Sequence, residues 1–231
     1  MRGDAHRAAI RVVLDAFGEN ADEFVVVGGC ALGLYARSEG SPLRVTKDVD
    51  CISRVTPWVL QEKTLADLCT RGVLSPVPEV QCRYRINRTE ILVDVLSPEG
   101  MNVGGVIRWF KRAVERPQTY PLGDGRSIKA VTPPYFVATK LVAFADRGPD
   151  ILESRDAEDI VAVAVEIENL VEQVSAEGIS AEIADLWVAV FNKYKFDTRD
   201  MPDFVDSHLH RDDQKHRTRV AGTLTALSTV P

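Results

Sequence analysis

The sequence predicts an α+β fold, in which a small mixed sheet with flanking helices is followed by a helical C-terminal half. Short apolar segments rich in β-branched residues and bounded by turn residues occur only before residue 132. Two pairs of these segments are joined by connections too short for a crossover, so each pair is expected to form an antiparallel hairpin. After Pro133-Pro134 the hydrophobic spacing is helical. We therefore predict an α+β domain over 1–132 and a helical domain over 133–231.

Hydrophobic spacing and turn residues place the individual elements. Apolar residues at i, i+3, i+4 and i+7 predict an amphipathic helix over 4–17 that ends at Gly18. The apolar run 24–27, followed directly by Gly28-Gly29, predicts a buried strand that enters a tight turn. The other predicted elements of the first half are a helix over 30–37, a loop over 38–46, a strand over 48–53, a helix from Thr56-Pro57 to about 71, hairpin strands over 81–87 and 90–96, and a second hairpin of 118–122 and 127–131. The predicted elements of the second half are helices over 134–146, about 154–168 and 180–194, and a polar, solvated tail over 208–219.

Composition excludes several classes of protein. Hydrophobic residues make up 45% of the 231 residues and charged residues 27%, which is typical of a globular chain and not of a disordered one. No segment approaches the roughly 18 uncharged apolar residues of a membrane helix, so we expect a soluble cytoplasmic protein with no membrane partner. The four cysteines have neither metal-knuckle nor disulfide-framework spacing, and reduced thiols are expected.

Charge is distributed unevenly along the chain. The net charge of −6 argues against non-specific coating of nucleic acid. Nine Lys and Arg against five Asp and Glu give segment 83–129 a net charge of +4, whereas two Arg against twelve Asp and Glu give segment 146–185 a net charge of −10. The basic segment is suited to a phosphate-bearing substrate, although both segments are equally compatible with ordinary solvated faces.

Three features of the first half carry residues suited to phosphate and metal chemistry. Gly28-Gly29, between a strand and a helix, would let backbone N–H groups approach a phosphate with no Cβ in the way. Asp48 and Asp50 alternate with Val49, so both carboxylates project to one face of a strand and repel each other unless a cation lies between them. Asp94 lies within an apolar run and needs a partner, which a shared metal ion would supply. The alternative for the aspartate pair is an exposed edge strand with both carboxylates in water.

The order of these motifs resembles that of the nucleotidyltransferase superfamily of DNA polymerase β. The resemblance implies a nucleotidyltransferase-type sheet that binds two Mg²⁺ ions. It also implies that Asp48, Asp50 and Asp94 are the catalytic residues and hold these ions. It implies transfer of a nucleoside monophosphate from an NTP to an acceptor hydroxyl with release of pyrophosphate, and phosphate binding by Gly28 and Gly29. One departure is the interval of eighteen residues between Gly29 and Asp48, which exceeds the superfamily's tightest pattern.

The second half is similar to the AbiEii-type nucleotidyltransferase toxins of bacterial toxin–antitoxin and phage-defence systems. The similarity is carried by Lys140 followed by Asp146-Arg147, and by the segment Arg155-Asp156-Ala-Glu-Asp159. It implies a helical domain that completes the active site, an RNA acceptor (the 3′ end of tRNA) and a cognate antitoxin protein as partner. It also implies that Lys140 is catalytic and offsets charge on the leaving pyrophosphate. The residues implied in nucleotide binding are Lys140, Arg147, Asp156 and Asp159.

The same four residues also support a purely structural interpretation. Lys140 and Arg147 share one helix face, and the two aspartates share a face of the next helix, so an inter-helix salt bridge is the alternative to a nucleotide site. As a nucleotide ligand, Lys140 should be mostly hydrated in the free protein, and its removal should cost little stability.

Two other functions are compatible with the sequence. One is an aminoglycoside-type nucleotidyltransferase, which uses the same carboxylates on a small molecule. The other is a catalytically silent binding module with the same fold. An RNA acceptor would make activity strongly salt-dependent through phosphate contacts. The residues expected to make these contacts are Arg83, Arg85, Arg108, Lys111 and Arg112.

Overall fold

The computed structural model describes most of the chain and divides it into two compact units. The described residues are 3–36, 43, 44, 46–55, 58–78, 80–97, 106–147 and 150–229. Of these, residues 3–34 and 44–132 group into one unit, called the strand unit because it contains the strands of the described residues. Residues 35, 36, 43 and 133–229 group into the second, called the helical unit.

The first part of the chain alternates short strands with helices. In chain order its elements are α1 (Asp4–Phe17), β1 (Phe24–Val27), α2 (Leu32–Tyr35), β2 (Asp48–Ser53), α3 (Trp58–Thr70), β3 (Leu74–Pro76), β4 (Arg83–Ile86), β5 (Leu92–Leu96), α4 (Val106–Glu115), β6 (Gln118–Pro121) and β7 (Ser127–Ala130). A 3₁₀ segment, Gly18–Glu23, connects α1 to β1.

The seven described strands form one mixed sheet in the order β3-β4-β5-β2-β1-β7-β6. At its centre, β1 is antiparallel to β2 and parallel to β7, and β2 is parallel to β5. Both predicted hairpins are confirmed, since β4 pairs with β5 and β6 pairs with β7 in antiparallel register. The edge strand β3 is an element that the sequence analysis does not predict, because three residues ending in Pro76 give no alternating pattern.

Helix α1 and strand β1 follow the predicted pattern. Helix α1 buries one apolar face and ends at Gly18, which has φ +55° and whose N–H group donates to the carbonyl of Leu14. All four residues of β1 are buried. The predicted helix over 30–37 is a 3₁₀ turn, Gly29–Ala31, followed by the short α2. Most of the predicted loop over 38–46 and the predicted helix start at Thr56-Pro57 lie outside the described residues.

The second part of the chain is helical in the residues described. Its elements are α5 (Pro133–Asp146), α6 (Arg155–Glu166), α7 (Leu170–Ala176), α8 (Ser180–Tyr194), α9 (Met201–His208) and α10 (Arg217–Leu227). The side chain of Ser154 caps α6 by accepting from the N–H of Ala157. None of the described helices combines the length and apolarity needed to cross a lipid bilayer.

The segment 208–219, predicted as a solvated tail, has several exposed polar side chains, as predicted, but it is held within helical structure. The segment forms the end of α9, a 3₁₀ stretch and the start of α10, and Asp213 within it is buried. His208 is fixed on both sides, because its Nδ1 lies 2.8 Å from the carbonyl of Phe204 and its Nε2 lies 2.9 Å from the carbonyl of Ile151. Buried apolar residues on either side, including Leu224, pack the polar segment into the helical unit.

Candidate functional site

Two adjacent parallel strands, β2 and β5, carry the three predicted carboxylates. Asp50 is the register partner of Asp94, and Asp48 lies two residues earlier on β2. Paired residues and residues at i and i+2 share a face of a sheet, so all three side chains project to the same face. Val49 and Val93 alternate with them and are fully buried, whereas the aspartates are half-buried. Asp48, Asp50 and Asp94 therefore form a half-exposed acidic face above the hydrophobic core.

The turn after β1 approaches this acidic face at Gly28. Val27, the last residue of β1, is the register partner of Asp50. Gly28 has φ +63°, and a Cβ placed on it would overlap the Asp50 carboxylate, lying only 2.8 Å from its Cγ. Backbone conformation and space both require glycine here. The phosphate-binding role of Gly28 and Gly29 stays a prediction.

Arg83 is the observed partner of Asp94. The two are register partners in the β4–β5 hairpin. Nε and Nη2 of Arg83 donate to Oδ1 and Oδ2 of Asp94, both at 2.7 Å. In this bidentate arrangement one planar guanidinium bonds both oxygens of one carboxylate.

The positive charge of Arg83 interacts with all three carboxylates of the acidic face. The hydrogen bond to Asp94 raises the pKa of Arg83 above its ordinary value, and burial opposes that rise. The negative charges of Asp94, Asp48 and Asp50 each raise the pKa further. Arg83 therefore lies within the electrostatic field of all three carboxylates and partly balances them.

The acidic face has the donor chemistry of a divalent-cation site, but Asp94 is engaged by Arg83. Carboxylate oxygens are the hard ligands that Mg²⁺ prefers. Among the described residues, no three His, Cys, Asp or Glu side chains converge as a metal-binding group. In this structure the partner of Asp94 is the Arg83 guanidinium, and binding of a metal ion by Asp94 stays a prediction. The three carboxylates fit Mg²⁺ in chemical type and in the face of the sheet that they share.

Two buried thiols lie beside the acidic face. Sγ of Cys30 donates to the backbone carbonyl of Asp48 at 3.4 Å, which ties the glycine turn to β2. Burial raises the pKa of Cys51 well above its ordinary value, and the neighbouring charges of Asp50, Cys30 and Asp94 raise it further. A thiol with a raised pKa is a poor nucleophile and a poor metal ligand. None of the four cysteines forms a disulfide, and Cys30 and Cys51 are buried.

The residues predicted from the second half meet in a separate cluster inside the helical unit. Nζ of Lys140 on α5 lies 3.0 Å from Oδ1 of Asp156 and 2.6 Å from Oδ2 of Asp159, both on α6. These three side chains are 13%, 10% and 5% exposed, and they are called the lysine cluster below. Arg147, directly after α5, is 71% exposed and its Nη1 lies 4.0 Å from Oδ2 of Asp156. The sequence therefore identified residues that do meet, in the arrangement of an inter-helix salt bridge.

The expectation of a hydrated Lys140 is wrong. Burial lowers the pKa of Lys140, but the charges and hydrogen bonds of Asp159 and Asp156 outweigh it, so that the net shift is upward. The ammonium is thus held charged by two carboxylates instead of by water. Its removal would take from both buried carboxylates the ammonium that contacts them, while Arg147 would stay 4.0 Å from Asp156. The catalytic role of Lys140, and nucleotide binding by Lys140, Arg147, Asp156 and Asp159, stay predictions.

Helix α4 presents basic side chains around a buried indole. Trp109 is fully buried, and the guanidinium carbons of Arg108 and Arg112 lie 4.7 and 5.2 Å from its ring centroid. Such cation–π contacts orient the guanidinium groups. Arg108 and Lys111 are exposed, as phosphate contacts require. Arg83, predicted to contact phosphate as well, is bound to Asp94 instead.

Sequence reasoning missed Arg83 as a member of the acidic face. The signal was present in the predicted hairpin, because strands joined by a short turn pair symmetrically about it. Tyr84 pairs with Val93 and Arg85 with Leu92, which places Arg83 directly opposite Asp94. Fixing the centre of the turn near Arg88 would have identified the pair from the sequence.

No protein-family model matches the sequence, and no curated protein is significantly similar to it. Among solved structures, the chain is similar to an antigenic nucleotidyltransferase-like protein from Paracoccidioides brasiliensis, with a TM-score of 0.51 and 17% sequence identity. The match covers 82% of this chain and 94% of that chain. The predicted α+β class is thereby confirmed, and the fold of this chain is nucleotidyltransferase-like.

Proposed function

We propose that this chain is a Mg²⁺-dependent nucleotidyltransferase that transfers a nucleoside monophosphate from an NTP to an acceptor hydroxyl. The observation that carries the proposal is the acidic face, in which Asp48, Asp50 and Asp94 share one side of two parallel strands within a nucleotidyltransferase-like fold. Asp48, Asp50, Asp94 and Arg83 together carry a net charge of −2 when all four are ionised. Like charges at this spacing repel, so the face favours an added cation.

Each residue of the acidic face has a defined part in this proposal. Asp48 and Asp50 would hold two Mg²⁺ ions between them, and Asp94 would hold only the ion beside the acceptor hydroxyl. When bound, the ions would supply Lewis-acid stabilisation of that hydroxyl and of the triphosphate. Gly28 keeps the space against Asp50 free of a side chain. Gly28 and Gly29 would present N–H groups to the β- and γ-phosphates.

We further propose an RNA acceptor, the 3′ end of tRNA, and a role as the toxin of a toxin–antitoxin or phage-defence system with a cognate antitoxin. Support comes from the similarity of residues 140–159 to the AbiEii-type toxins and from the exposed cations of α4. Lys140 would offset charge on the leaving pyrophosphate, with Arg147, Asp156 and Asp159 contacting the nucleotide. Of these four side chains, that of Arg147 has the most accessible charge, because it is 71% exposed.

A catalytically silent module is the second candidate function, and Arg83 is the observation that favours it. A chain that binds no cation at this face still has to neutralise the half-buried Asp94. Arg83 does so with two charge-assisted hydrogen bonds. In such a module Arg83 would hold Asp94 permanently.

Transfer of label from α-³²P NTPs tests the proposal. The protein is incubated with Mg²⁺ and each of the four NTPs, once with total tRNA and once with a panel of aminoglycosides. We expect labelled RNA, and a loss of at least about a hundredfold in Asp50→Asn because a carboxylate shared by both cation positions is removed. Asp67→Asn, which changes an exposed aspartate of α3, is the matched control and should retain activity.

The other outcomes separate the remaining functions. Activity of Asp50→Asn within about tenfold of wild type, a loss of under about 1.4 kcal/mol in transition-state stabilisation, would contradict the metal assignment. Label on the aminoglycosides and none on RNA would identify a small-molecule nucleotidyltransferase. Absence of label on every acceptor would favour the silent module.

A further inference from the structure

We propose that Arg83 competes with a divalent cation for Asp94, and that it thereby sets the affinity of the acidic face for that cation. The inference rests on the proposed function in one respect, namely that Asp94 is a cation ligand. It adds a second positively charged occupant of the same carboxylate, supplied by the chain itself.

The geometry makes the two occupants mutually exclusive or strongly antagonistic. Both oxygens of Asp94 accept a hydrogen bond from Arg83 at 2.7 Å, so the guanidinium lies along the edge of the carboxylate where a chelated cation would sit. A cation bound to another lone pair of Asp94 would still lie beside a fixed positive charge. In either case the charge of Arg83 opposes the charge of the cation.

The structure also allows Arg83 to release Asp94. The side chain of Arg83 is 28% exposed and that of Asp94 is 19% exposed, so solvent reaches the pair. Arg83 is the first residue of β4, and the Tyr84–Val93 and Arg85–Leu92 pairs continue the ladder beyond it. Rotation about the side-chain torsions of Arg83 therefore frees the carboxylate while the hairpin keeps its register.

Arg85 provides a matched comparison on the same strand. It lies two residues after Arg83 and so projects to the same face of β4. It is exposed, and its register partner is Leu92 instead of an aspartate. Neutralising either arginine changes the charge near the acidic face by one, but only the change at Arg83 removes the bidentate bond.

Direct binding of Mn²⁺, counted as the loss of the free-ion signal in electron paramagnetic resonance, tests the inference without any need for turnover. The full chain is titrated as wild type, Arg83→Met, Arg83→Lys and Arg85→Met. We expect Arg83→Met to bind Mn²⁺ about tenfold or more tightly than wild type, because the competing charge-assisted bonds are gone. Arg83→Lys should lie between the two, since it keeps the charge but loses the planar fork. Arg85→Met should stay within about twofold of wild type.

Each other result has a definite meaning. Equal affinity of Arg83→Met and wild type, or an equal gain in Arg85→Met, would overturn the competition and leave the proposed function intact. Absence of Mn²⁺ binding by every variant at millimolar concentration would overturn both. Circular dichroism checks that each variant is folded. If Arg83→Met does not fold, the affinity of Arg83→Lys decides, and a value equal to that of wild type would overturn the inference.

Discussion

The acidic face and the lysine cluster both set carboxylates beside a basic residue, but they balance charge differently. In the acidic face one guanidinium accompanies three carboxylates, and its ion pair is 28% and 19% exposed. In the lysine cluster one ammonium accompanies two carboxylates that are 10% and 5% exposed, and Arg147 completes electrical neutrality at 4.0 Å. Burial makes each unbalanced charge costly, and this cost is smaller at a half-exposed face. From this contrast we expect the lysine cluster to stabilise the helical unit, whereas cation binding at the acidic face and a catalytic role of Lys140 stay proposals.

Removing the lysine should produce the largest change in stability. Lys140→Ala removes the ammonium that contacts both buried carboxylates, and we expect a loss of about 3–5 kcal/mol in the free energy of unfolding. For a chain of this size that corresponds to a fall of roughly 10 °C in the thermal midpoint. Differential scanning calorimetry gives the midpoint directly. Lys215→Ala, which changes an exposed lysine of the same unit, is the control.

A neutral version of the lysine cluster sharpens this test. Combining Lys140→Met with Asp156→Asn and Asp159→Asn removes all three charges together and should recover much of the lost stability, because no charge is then buried alone. A thermal midpoint of Lys140→Ala within about 2–3 °C of wild type would instead support the interpretation of Lys140 as a hydrated nucleotide ligand.

Alkaline pH should reduce the contribution of the lysine cluster to stability, because deprotonation removes the charge of Lys140. Because the folded pKa of Lys140 is raised, its stabilisation is fully present below its ordinary pKa of 10.5 and is lost as pH rises through the folded pKa above that value. The difference in the urea unfolding midpoint between wild type and Lys140→Met should therefore be constant at neutral pH and become smaller above about pH 10.5. Urea unfolding across this range measures it. A difference that does not change with pH would contradict a charged Lys140, and Lys215→Met should show no such narrowing.

The sequence predicts the helices and strands that have a local pattern of apolar and turn residues. It does not predict those whose formation depends on tertiary packing. Strands β1 and β2 and both hairpins follow from apolar runs and short turns, which reveal pairing without any tertiary information. Helices α9 and α10 enclose a polar segment, and their burial follows from Phe204 and Leu224 packing inside the helical unit. Helix α4 likewise has no prediction, because its mixture of basic and aromatic residues gave no distinct boundary.

The two clusters were predictable to different degrees for the same reason. Spacing alone places Asp48 and Asp50 on one face of a strand, since strand periodicity fixes direction. Spacing also places Lys140 and Arg147 on one helix face, but it does not show whether that face contacts water or two carboxylates. That distinction depends on the packing of α5 against α6, which is a tertiary property. The partner of Asp94 required only the register of one hairpin.

Adding a side chain at Gly28 should reduce stability less than the loss of Lys140 does, and it should also disturb the acidic face. In Gly28→Ala the positive φ is strained and the new Cβ overlaps the Asp50 carboxylate, so we expect a loss of about 1–3 kcal/mol and weaker Mn²⁺ binding. Gly72→Ala is the matched control, because Gly72 has φ +69° but no atom within 4 Å of an added Cβ. The control carries the backbone strain alone. Equal losses in both variants, with Mn²⁺ binding unchanged, would show that the close approach to Asp50 has no consequence.

Neutralising one carboxylate of the acidic face should have the smallest effect on stability. Asp48 lies roughly 6–7 Å from Asp50 along the strand, and their repulsion through partly exposed surroundings is modest. Asp48→Asn removes that repulsion, but it also removes an attraction, because the charge of Asp48 supports the positive charge of Arg83. The two terms have opposite sign, so we expect a change within about ±0.5 kcal/mol in the free energy of unfolding. Mn²⁺ affinity should nevertheless fall, since a ligand is lost while the fold is not. A loss of stability comparable to that in Lys140→Ala would mean that the acidic face is a structural ion-pair network like the lysine cluster, and the contrast between the two would no longer hold.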